Sequence, residues 1–151
     1  MRIKSDPPQA DEKFLFLRGM LMPSNQNSDL LVVTKSKELC AYIVNVTQKS
    51  PKQFRFTFVS RLQNLSLNVI ESLYYANEIF IGKGYEKNME KRLTLQHHAL
   101  TTLKIIAFIS ELATTEKCLL FKQYEQIAKL TVDCQRLVGA WINSDKKRLT
   151  P

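Results

Sequence analysis

SPKQFRFTFVSRLQNLSLNVIESLYYAN (residues 50–77) decides the fold. From Phe58 onward its apolar positions Leu62, Leu65, Val69, Ala76 and, just beyond, Phe80 recur mostly at steps of three and four, the spacing that lines one side of an α-helix. Arg61, Asn64, Asn68, Glu71, Tyr75 and Glu78 keep the same rhythm on the opposite side, so the face turned from the core is polar and opens with a cation. Ser50, Pro51 and Gln53 read as a capping residue, a proline at the first helical position and a capping-box partner. Residues 53–58 also alternate polar and aromatic as a strand does, so the regular helix is expected either from the cap or only from about Thr57, after a lead-in turn. Its end is expected near Ile81, where Gly82 and Gly84 bracket Lys83 and supply left-handed geometry. This Gly-Lys-Gly is a turn, because it lacks the spaced glycines, the following Ser or Thr and the preceding strand of a phosphate loop.

Three further helical patterns flank this one. A short first helix from about Asp29 carries Val32, Val33, Leu39, Cys40, Ile43, Val44 and Val46 and ends before Gln48. A third spans about 86–116. A fourth spans about 121–144, with Tyr124, Ile127, Thr131, Cys134, Val138 and Trp141 alternating by three and four and Leu130 and Leu137 widening the apolar face. At 1.5 Å per residue the second and third helices are expected to be matched rods of roughly 40 to 46 Å. Four helices with short links give an all-α, up-down antiparallel four-helix bundle over 29–145. Before it, 1–28 reads as a poorly ordered leader with Pro7, Pro8, Pro23 and the polar run PSNQNS, and 146–151 reads as a basic tail. Met20 and Met22 stand just ahead of the patterned region, so either is an alternative natural start, decided by intact mass of the natively expressed protein.

The chain has 151 residues, a formal charge of +8 and a pI near 9.5, its charges spread along the sequence without a block of one sign. That length suits one core without metal or disulfide staples, and that charge suits an anionic partner as readily as a merely soluble basic protein. Cys40, Cys118 and Cys134 are odd in number, far apart and embedded in helical patterns, which is unlike a disulfide framework or a zinc CxxC pair and fits a reducing cytoplasm. No stretch approaches the roughly 20 apolar residues that span a bilayer, so no membrane role is expected.

Enzyme signatures are sparse. Neither His97 nor His98 follows a Glu or Asp by three residues, so the di-iron pattern of ferritin-like bundles is missing, and adjacent histidines point about 100° apart. One is expected to be packed and the other exposed. Cys40 and Cys134 lie on apolar faces and are expected to be buried thiols; no metal, cofactor or catalytic residue is assigned. Arg92 and His97 have the Arg-x4-His spacing of HEPN ribonucleases, a two-residue motif that keeps an RNA-cleaving bundle as the alternative reading.

The cations that stand apart are Lys52, Arg55 and Arg61 at the start of the second helix, and Lys122, Lys129 and Arg136, spaced by sevens on the outer side of the fourth. Pro51-Lys52, Arg55-Phe56-Thr57, Arg61-x-Gln63-Asn64 and Glu71, followed far downstream by Arg136-x-x-Gly139-x-Trp141-Ile142 and Lys146, Lys147 and Arg148, carry a resemblance. Over 49–148 the chain resembles the accessory variability determinant proteins of diversity-generating retroelements and, more distantly, the four-helix bundle proteins of ribosomal RNA intervening sequences. The resemblance implies a small basic bundle assembled as a pentameric barrel, a homo-oligomer that binds reverse transcriptase and RNA or DNA without catalytic activity of its own during mutagenic copying of a template RNA. A related bundle of another mobile element is also open. Five copies at +8 each would carry about +40. The six cations are the candidate contacts, Arg136 doubling as a candidate structural ion-pair partner. Leu130 and Leu137 are candidates for packing on a neighbouring copy, Gly139 for a close helix approach and Trp141 for a buried anchor whose N–H needs a partner.

Overall fold

The computed structural model describes residues 27–149 together with Lys13, Phe16 and Leu17. Almost all of the expected leader, including both alternative starts, lies outside the described residues, as do residues 150 and 151. Four α-helices follow in order: α1 (Asn27–Thr47), α2 (Ser60–Glu78), α3 (Met89–Thr115) and α4 (Phe121–Leu149), with no strand among the described residues. Each helix packs on its chain neighbours and α1 closes the ring against α4, leaving α2 diagonal to α4. Short links and this ring make an up-down four-helix bundle.

The core is built from the periodic residues. Val32, Leu39, Ile43 and Val46 of α1 meet Leu62, Leu65, Val69 and Leu73 of α2, Leu103 and Ile106 of α3, and Ile127, Val138 and Trp141 of α4. Two polar side chains of α1 enter it by bonding back to their own helix. The Ser36 hydroxyl donates to the Val32 carbonyl at 2.9 Å and the Thr47 hydroxyl to the Ile43 carbonyl at 2.6 Å, so neither reaches the interior unpaired.

Between α1 and α2 the chain does something the sequence left open. Pro51 is extended (φ −56°, ψ 141°) and leads into a 3₁₀ turn, Lys52–Phe54, then a five-residue π-helical turn, Arg55–Val59, before regular α-helix begins at Ser60. The capping box is absent: Pro51 occupies the capping position without a side-chain cap bond, which leaves Ser50 one residue too far out. The aromatic alternation has a helical cause. Phe54 and Phe58 are one turn apart, half-buried on the core with ring centroids 5.8 Å apart, while Phe56 between them faces solvent.

Other boundaries move for identifiable reasons. Helix α1 has 21 residues rather than being short, because it begins ahead of its apolar stripe. Helix α2 stops at Glu78; Ile79 turns extended, Ile81 plugs the core, and Phe80, expected in the core, is 61% exposed and packs edge-to-face on Tyr85 at 5.1 Å. Gly84 does adopt a left-handed φ of 89°, and any side chain at Gly82 would strike the Phe80 ring. With 19, 27 and 29 residues, α2, α3 and α4 are about 29, 41 and 44 Å long. The matched rods are therefore α3 and α4, since irregular turns take up the start of the second helical pattern. Helix α4 runs on through Leu149, so 146–149 is helix rather than tail. Asp145 explains the extension, being fully buried immediately before that last turn.

Candidate nucleic-acid interface

Lys52, Arg55 and Arg61 are brought together by the irregular turn. Lys52 stands on the 3₁₀ segment, Arg55 opens the π turn and Arg61 lies in the first turn of α2, all three exposed. Lys52 and Arg55 line a groove of about 540 Å³ with Gln48, Ser60 and Gln63. Arg61 lines a second groove of about 570 Å³ with Asn64, Ile109 and Leu112 of α3. Phe56, 88% exposed, borders both grooves.

The segment that carries this group and the linings of both grooves contain no acidic residue. No Asp or Glu occurs between Glu38 and Glu71, and among the described residues no carboxylate pairs with Lys52, Arg55 or Arg61. Unneutralised cations with amide and hydroxyl donors between them attract and hold phosphate.

The row on α4 is separate. Lys122, Lys129 and Arg136 are all exposed and extend about 21 Å along the helix. Because α4 is diagonal to α2, the row does not share a face with the first group. Lys122 sits at the same end of the bundle, since up-down order puts the starts of α2 and α4 together; Lys129 and Arg136 recede from it.

Arg136 is not the structural ion-pair residue. That role belongs to Arg92, which is buried and donates through Nε and Nη2 to the Asp145 carboxylate at 2.8 and 3.0 Å and through Nη1 to the Ile79 carbonyl at 3.0 Å. Gln96 Nε2 adds a bond to Asp145 at 2.8 Å, Arg148 reaches the same carboxylate from the surface, and the Arg92 guanidinium lies 4.8 Å from the Trp141 ring centre. Trp141 is the expected buried anchor, but its Nε1 has no partner among the described residues; the ring is held through its face.

The same network disposes of one pairing. Arg92 faces the interior while His97, five residues on, is exposed on the other side of α3, so the two do not form a site within one chain. Both histidines are exposed, correcting the expectation that one is packed; His98 is held at the surface by a 3.0 Å bond between its Nδ1 and the Ser72 hydroxyl. Cys40, Cys118 and Cys134 are free and buried. Burial pushes the Cys134 thiol up to about 11, partly offset by the Ser36 hydroxyl. Among the described residues no three His, Cys, Asp or Glu side chains are placed to hold a metal ion, and no helix is long and apolar enough to cross a membrane.

One packing expectation changes. A side chain at Gly139 would meet nothing within 4 Å, so no helix of the same chain approaches there. Leu130 and Leu137 are half-buried against their own chain's core, and exposed apolar side chains on the helices include Val132 on α4 and Ile105 and the 77% exposed Phe108 on α3.

No protein-family model, no curated protein and no solved structure matches the chain.

The sequence reading missed Phe56 and the Arg92 network. Phe56 was hidden inside an apparent strand alternation that only the π turn resolves. The network had a signal: Arg92 and Gln96 fall in register with the core positions Ala99, Leu103 and Ile106, so both needed buried partners.

Proposed function

We propose that this chain is a non-catalytic accessory protein of a diversity-generating retroelement, acting in the cytoplasm as a homopentameric barrel that binds reverse transcriptase and nucleic acid while a template RNA is copied with errors. The observation that carries this reading is the acid-free cluster of Lys52, Arg55 and Arg61, exposed and unpaired at one end of a basic four-helix bundle. Those residues belong to the Pro51 to Glu71 segment that carries the resemblance, and its second half, from Arg136 to Ile142, builds the α4 side of the core around Trp141. The α4 row of Lys122, Lys129 and Arg136 offers a second cationic surface, so nucleic acid and polymerase need not compete for one site. Ile105 and Phe108 on α3 are uncovered apolar surface of the kind a neighbouring copy buries.

The test combines three measurements on the purified chain. Mass photometry at micromolar concentration reads the assembly, and a strict monomer argues against the barrel. Titration with labelled RNA reads binding that weakens steeply with salt and leaves the RNA intact. Co-purification with the reverse transcriptase encoded beside this gene reads the partner; a genome with no such enzyme nearby points to another mobile element.

A further inference from the structure

Phe56 is a misfit in the one place where a misfit is informative. An aromatic side chain that buries nothing in its own chain forgoes the stabilisation that Phe54 and Phe58 obtain two residues to either side. Its position is nevertheless fixed: Pro51 sets the approach, both flanking aromatics dock on the core, and the π turn Arg55–Val59 aims the intervening ring outward. Such turns concentrate at functional sites. On both sides the ring borders a groove with a cation in its wall, Arg55 and Lys52 in one and Arg61 in the other, and neither groove has an acidic residue in its lining.

We infer that Phe56 is a stacking platform for one base of a single-stranded nucleic acid, whose backbone runs from the Lys52 and Arg55 groove past the ring to the Arg61 groove. The inference rests on the nucleic-acid reading above and adds strand type and residue to it. A base offers its flat face only when unstacked, so a lone projecting ring selects single strands, whereas cations alone would hold a duplex as well. The hydroxyls and amides of Ser60, Gln63 and Asn64, in the groove walls, supply donors for sugar and phosphate. A second copy of this chain is the poorer occupant, because it would bring another +8 against grooves lined by cations and no carboxylate.

The experiment uses the full chain with a short fluorescein-labelled single-stranded RNA and the blunt duplex of the same sequence, read by anisotropy at low and high salt. Wild type is expected to bind the single strand more tightly. Phe56→Ala should lose about 5- to 100-fold on the single strand and little on the duplex, while Phe56→Tyr retains binding. Phe56→Trp should show its added surface fluorescence quenched by the single strand, a response that a purely structural side chain does not give. Equal single-strand affinity in wild type, Phe56→Ala and Phe56→Leu would overturn the platform while leaving salt-dependent binding, and so the broader reading, in place. Wild type binding neither RNA sinks both. A changed sedimentation coefficient for Phe56→Ala would reassign the ring to a contact between copies and overturn the platform as well.

Discussion

Each end of this bundle sets an arginine beside an aromatic ring, with opposite outcomes. At one end Arg92 lies against Trp141, buried, with its donors spent on Asp145 and the Ile79 carbonyl. At the other, Arg55 precedes Phe56, and both project into solvent with no carboxylate in reach. The first arrangement is closed, its charge cancelled inside the molecule; the second is open, its charge left for something outside. The presence of a carboxylate separates structural from available cation here, and the residue types alone do not.

The sharpest way to break this comparison is at the closed end. Asp145→Ala leaves Arg92 charged, buried and unpaired, and is expected to lower unfolding free energy by about 3 to 5 kcal/mol in urea titrations. Replacing Arg92 and Asp145 together by Met and Leu should recover much of that loss. A stable Asp145→Ala protein would mean that Arg92 is not held by this carboxylate.

The interior that supplies Arg92 with a counter-charge offers Cys134 little help in ionising. The unfolded thiol ionises from about pH 8.5, whereas the buried one keeps its proton until about 11. In that window the unfolded chain binds fewer protons than the folded one, so stability falls as pH rises and is complete below it. Wild type should lose about 2 to 3 kcal/mol more than Cys134→Ala between those limits, in paired urea titrations.

At the open end the expectation reverses: stability is indifferent and binding is not. Lys52→Glu, Arg55→Glu and Arg61→Glu together should weaken RNA binding roughly 30-fold and flatten its salt dependence, with thermal unfolding little changed. The same reversal at Lys129 and Arg136 asks whether the α4 row serves the RNA or the polymerase. The smallest effect is at Gly139. With open space around it, Gly139→Ala should stabilise the chain by about 1 kcal/mol through helix propensity. Assembly weakened by that added methyl would show that the glycine serves contact between copies.

How much of this was visible in the residues follows from how local each cause is. The apolar spacing of Leu62, Leu65, Val69 and Leu73, or of Ile127, Cys134 and Val138, is a property of a single helix, and it foretold the bundle. The exposed cations were legible for the same reason, since each lies off its helix's apolar stripe. What was not legible depends on partners far away in sequence. Asp145 extends α4 past the expected end because Arg92, 53 residues earlier, requires it. Phe80 leaves the core because Ile79 turns extended and Tyr85 receives its ring. The outward turn of Phe56 needs a π segment that no propensity signals.

That π segment also says how this end of the molecule could change in evolution. A π turn contains one residue more than the α-helix needs at that point. Deleting a single residue within Arg55–Val59 would restore regular helix and swing Lys52 and Arg55 about 100° around the α2 axis, leaving the Leu62 to Ala76 core untouched. Insertion and deletion of one codon thus become a dial for the direction in which this basic end faces, set independently of the fold that carries it.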